Sequence, residues 1–105
     1  MGMEQAVRFP TTLPTWAAAR DILAKRGRTF QVGMIDGQLA FPDEEPQEPW
    51  SELRLRTPHG MITVRRDNNR LVFVTWGNAE AGLREQWQAL ATAFAEAGGG
   101  AIETN

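Results

Sequence analysis

Residues 51–76 read SELRLRTPHGMITVRRDNNRLVFVTW, and their alternation specifies three antiparallel strands. Leu53 and Leu55 face one way while Glu52, Arg54 and Arg56 face the other, because successive side chains of a strand point to opposite sides. Pro58-His59-Gly60 and Asn68-Asn69 carry turn chemistry: Pro presets φ, and Gly and Asn accept the left-handed region. Treating residues 57–60 as a four-residue loop sets Leu55 opposite Ile62 and Leu53 opposite Val64. A three-residue loop with a bulge at Gly60 would set Leu55 opposite Thr63 and mix the faces. A slip of one residue inverts a strand, so the first register is preferred. The Asn68-Asn69 turn then pairs Val64 with Phe73 on the inner face, and Thr63 with Val74 and Met61 with Trp76 on the outer.

Upstream, residues 29–35 alternate too, with Phe30, Val32 and Met34 expected inward and Gln31, Gly33 and Ile35 outward. Asp36-Gly37 is a strong two-residue hairpin turn. It pairs Met34 with Leu39 and Val32 with Phe41, places Gln38 and Ala40 on the outer face, and leaves Pro42 to end the strand. Residues 43–50 form an acidic, proline-broken loop that Trp50 closes.

A helical pattern flanks the strands on each side. Trp16, Ala19 and Leu23 follow i, i+3, i+7, with Ile22 widening the stripe, Pro14 near the start and Gly27 past the end. Lys25 and Arg26 suit its C-terminal dipole. After Asn78, a good N-cap, Leu83, Trp87, Leu90, Phe94 and Ala97 form the longest apolar stripe of the chain. Gly82 inside it costs about 1 kcal/mol against Ala. Residues 1–13 show no period and read as an irregular arm, while residues 98–105 read as a C-cap followed by a flexible tail or short edge strand.

The expected fold is therefore a single α+β domain over residues 1–105: an N-terminal helix, a five-stranded antiparallel meander and a long C-terminal helix. Five strands about 4.8 Å apart make a sheet roughly 20–25 Å wide. Two helices of about 10 Å diameter cover that width. Both are expected on one sheet face, giving a two-layer sandwich.

Composition bounds the function. Net charge is −2 with a pI of 5.4, which offers nucleic acid or an anionic membrane no global attraction. Zero cysteine removes thiol catalysis, disulfides and thiolate metal sites. No apolar run reaches the roughly 18 residues of a membrane helix, so a soluble, cytoplasmic protein is expected. Ten arginines against one lysine, Lys25, together with the Ala and Gly content, read as a GC-rich, bacterial-like composition.

Catalytic and metal chemistry find no footing. His59, the one histidine, sits in a turn. Ser51, the one serine, lies opposite Arg66, roughly 20 Å or more from His59 at about 3.3 Å per residue. A nucleophile pair needs about 3 Å. The acidic run Asp43, Glu44, Glu45 and Glu48 lacks the spacing of a calcium loop. Gly98-Gly99-Gly100 closes a helix, whereas phosphate loops open one. No catalytic residue, metal or cofactor is expected. If the chain were an enzyme, Arg54, Arg65, Glu52 and His59 would be its only plausible polar actors.

The uncovered sheet face carries the functional expectation. Met61, Val72, Val74 and Trp76 adjoin on it beside Arg54, Arg56 and Arg65, and an apolar cluster of that size normally meets something. Three covers are open: the arm with Val7 and Phe9 or the acidic loop with Trp50; a second copy face to face; or another partner or ligand. The leading reading is a non-enzymatic interaction domain that associates with itself or a protein partner through these seven residues. The alternative is a small apolar-ligand module whose cavity, between sheet and C-terminal helix, is lined by Phe30, Phe73, Trp87 and Phe94.

Overall fold

The hairpins of the central segment form in the expected registers. In the computed structural model, which describes residues 3–75 and 81–103, β4 (Glu52–Thr57), β5 (Gly60–Asp67) and β6 (Arg70–Thr75) pair antiparallel. Leu55 stands opposite Ile62, Leu53 opposite Val64, and Val64 opposite Phe73. Thr57 pairs with Gly60, so the first turn is tightened to Pro58-His59. The second turns on Asn68, whose φ is 56°. The expected pair of Met61 with Trp76, and the Asn78 cap, lie outside the described residues.

Around this unit the sheet grows to seven strands, and the meander is corrected. The remaining strands are β1 (Met3–Arg8), β2 (Gln31–Ile35), β3 (Gln38–Leu39) and β7 (Ala101–Ile102), in the order β3-β2-β4-β5-β6-β1-β7. β4 does not follow β3 in space. It returns to the other edge of β2, and β3 is left at the sheet margin. Asp36, at φ 50° in the turn, holds this arrangement: its Oδ1 accepts from the backbone N–H of Ser51 (2.7 Å) and Glu52 (2.8 Å). Residues 3–8, expected as an irregular arm, are instead a strand laid along β6, with Val7 opposite Leu71. The tail contributes β7 on the far side of β1.

A bulge at Gly33 overturns the expected faces of the first hairpin. Val32 pairs with Leu55, but Met34 pairs with Arg54 and Ile35 with Leu53. The extra residue inverts the alternation beyond it, so Ile35 packs against the core while Met34 shares Arg54's face. Ala40 also packs against the core, and Leu39, opposite Met34, is 83% exposed. Val32 does not pair with Phe41; its N–H donates to the carbonyl of Pro42 (3.1 Å).

The helices are α1 (Trp16–Lys25) and α2 (Ala81–Gly98). Thr15 caps α1, its Oγ1 accepting from Ala18 N–H at 3.2 Å. Both helices end on a left-handed glycine, Gly27 and Gly99. The next residue's N–H bonds back to a last-turn carbonyl, Arg28 to Leu23 and Gly100 to Ala95. Trp16, Ala19 and Leu23 of α1 and Leu83, Trp87, Leu90 and Phe94 of α2 are buried in one core with Leu53, Leu55, Ile62, Val64, Leu71 and Phe73. Phe94 touches Phe73 (centroids 5.5 Å), Trp16 (6.1 Å) and Trp50 (6.5 Å). No helix among the described residues is long and apolar enough to cross a membrane.

Candidate functional site

The outer face is built by the same registers that build the core. Across it run Ala6, Val72, Arg65 and Glu52 in one row, then Glu4, Val74, Thr63, Arg54, Met34 and Leu39 in the next, and Met61, Arg56 and Gln31 in a third. Six of the seven expected surface residues are thus brought together: Met61, Val72, Val74, Arg54, Arg56 and Arg65. Trp76 lies outside the described residues.

Exposure redistributes the patch. Val74 and Thr63 are each only 4% exposed, and Val72 is half-buried, so the centre of the sheet offers little apolar surface. Met61 keeps 41% of its area, and Leu39, on the same face at the sheet margin, keeps 83%. Phe41, two residues on, is 74% exposed. Leu39 and Phe41 escaped the sequence reading because a regular meander would have covered them.

Neither internal cover expected for this face is present. Val7 and Phe9 are fully buried in the core. Trp50 turns to the helix side, 1% exposed and edge-on to Phe94. Arg66 secures it, with its guanidinium 4.9 Å from the indole centroid and its Nε donating to the Trp50 carbonyl at 2.7 Å. Glu48 lies 3.6 Å from the same guanidinium; burial pushes its carboxyl up from the ordinary range, and Arg66 partly opposes that.

Charge on the outer face is arranged in two groups. Glu52 stands opposite Arg65, and its carboxylate lies 3.5 Å from both Arg65 and Arg54. Arg56 borders Gly33, whose missing Cβ would lie 3.2 Å from its Nε. The second group was not anticipated. Glu103 accepts from Arg8 (2.9 Å) and Arg70 (3.3 Å), and Arg70 also reaches Asp67 (2.6 Å). The Arg8 hydrogen bond holds the Glu103 carboxyl below its usual value, with help from the Arg70 charge. Only Asp67 and Arg70, three residues apart across a turn, could have been paired from sequence.

His59 and Ser51 fall where the hairpin places them: Ser51's carbonyl accepts from Arg66 N–H (2.8 Å), and His59 is exposed in the turn at the far end of the pair. In the acidic loop, Glu45 pairs with Arg20 (3.0 Å) and Glu44 accepts from Phe41 N–H (3.3 Å). A cleft of about 630 Å³ lies between this loop and the first hairpin, lined by Ile35, Asp36, Gln38, Leu39, Glu44 and Glu45 among others. Its carboxylates are already engaged with the chain's own donors. Phe73 and Phe94 are in ring contact, Trp87 Nε1 donates to the Phe73 carbonyl at 2.9 Å, and Phe30 is 6% exposed at the border of a cleft of about 260 Å³. Comparison with models of known protein families, with curated proteins and with solved structures found no match.

Proposed function

We propose that this chain is a protein-interaction domain that docks through the outer face of its sheet, in the first instance onto a second copy of itself. One observation carries the reading. Both helices, Trp50, Val7 and Phe9 share the core on the inner side, while Met61 and Leu39 stand exposed on the other beside Arg54, Arg56 and Arg65. Arginine stems and methionine are residues that interfaces favour, since they combine contact area with directional polar ends.

Sedimentation equilibrium from dilute to millimolar protein tests it. The mass should rise with concentration, and Met61→Asp should weaken the association tenfold or more, about 1.4 kcal/mol, without changing the circular dichroism. A monomer at every concentration, or association indifferent to Met61→Asp, rejects the reading.

A further inference from the structure

The charges around this face say how two copies would meet, given the docking proposed above. On β4 and β5, the guanidiniums of Arg54 and Arg65 share one carboxylate, Glu52, and Arg56 has no carboxylate partner among the described residues. Its 3.5 Å contacts are longer than good charge-assisted hydrogen bonds, which run about 2.7–2.9 Å, so the arginines keep donors to spend. Arg54 and Arg65 remain 48% and 47% exposed in their side chains.

The loop after β3 has the opposite imbalance. Arg20 answers Glu45 and Arg66 answers Glu48, which leaves the exposed Asp43 and Glu44 without a cationic partner among the described residues, Glu44 holding only the neutral Phe41 N–H. Beside them stand Leu39 and Phe41, the two most exposed large apolar side chains among the described residues. The chain thus presents two surfaces of matching character. One is cationic, with Met61 beside Arg56 at its end, and the other is anionic, with Leu39 at the margin of the same sheet face and Phe41 two residues on.

A twofold axis through the arginine strip would set one strip against another, and like charges across an interface oppose association. We propose instead that the domain associates head to tail. The segment 39–44 of one copy lies on the Arg54, Arg56, Arg65 and Met61 surface of the next. Such a contact is heterologous, so each copy keeps one free surface of each kind, and assembly continues into open chains or a closed ring.

Charge reversal on each surface separately tests this, by sedimentation velocity at low salt. One variant carries Arg54→Glu and Arg56→Glu, the other Asp43→Lys and Glu44→Lys. Wild type should form species larger than dimers, and these should dissociate as salt is raised, because exposed charges are screened beyond about 10 Å at 0.1 M. Each variant alone should be monomeric. In an equimolar mixture each surface of one variant meets the opposite charge on the other, native against native and reversed against reversed, so assembly should be recovered, and that recovery also shows both variants are folded. If the arginine variant is monomeric while the acidic one still assembles, the outer face docks but not onto segment 39–44, and the head-to-tail mode is overturned with the docking reading intact. If both variants assemble like wild type, or wild type stays monomeric, both fall.

Discussion

Arg66 covers the face of Trp50 at 4.9 Å while donating through Nε to that residue's own carbonyl at 2.7 Å. One side chain thereby ties β5 to the end of the acidic loop and keeps the indole on the core side of the sheet. A planar guanidinium lies flat on the ring while its edge donates, a geometry that a compact ammonium on a flexible stem does not reproduce. Arg66→Lys should therefore lower stability by about 1–2 kcal/mol, read as a lower urea midpoint at unchanged slope. An unaltered midpoint would show that Trp50 holds its place without the arginine.

The three consecutive glycines at the end of α2, Gly98 to Gly100, are not equivalent. A Cβ on Gly98 would stand 2.7 Å from the ring of Phe9, which is fully buried and has nowhere to go. Gly99 has open space around it and only its φ of 65° to protect. Gly98→Ala should cost about 1–3 kcal/mol as overpacking, and Gly99→Ala about 1–2 kcal/mol as left-handed backbone strain. Combining Gly98→Ala with Phe9→Leu should recover part of the first loss and none of the second, by thermal or urea denaturation.

Glu103 gives β7 an acid-sensitive anchor. Its carboxyl is held below the usual value by the Arg8 hydrogen bond and the Arg70 charge, so the folded state favours the ionised form. That contribution is present above the ordinary carboxylate range and is lost as pH falls through the lowered folded value. Protection of the Glu103 amide, which donates to the Ala6 carbonyl at 2.9 Å, should fall on acidification through that window. Glu103→Gln should remove the pH dependence; if the variant keeps it, another group is responsible.

Phe94 and Phe41 make a matched pair of truncations. Phe94 is fully buried against Phe73, Trp16 and Trp50, and Phe94→Ala should cost about 3–5 kcal/mol. Phe41, 74% exposed, should change stability by less than about 0.5 kcal/mol when cut to Ala, yet weaken self-association. A Phe41→Ala variant that destabilises the fold as Phe94→Ala does would mean that Phe41 is covered in solution.

The parts legible in the sequence are those whose causes are local. Side-chain alternation and the Pro58-His59 and Asn68-Asn69 turns specify the β4–β5–β6 registers, because a one-residue slip there would put arginines into the core. The Trp16-Ala19-Leu23 and Leu83-Trp87-Leu90-Phe94 stripes likewise specify both buried helix faces, and the glycines specify where those helices end. What lay beyond reach is non-local. Residues 3–8 carry no period of their own, with Gln5 sharing the inner face with Val7, and they become a strand only because β6 offers a free edge. Asp36 brings β4 back against β2, so Leu39 is left at the margin. The bulge at Gly33 inverts Met34 and Ile35, and the Arg66–Trp50 contact draws Trp50 to the helix side. Pairings between distant segments are chosen by the total area the whole chain can bury, and that sum exists only once every element is in place.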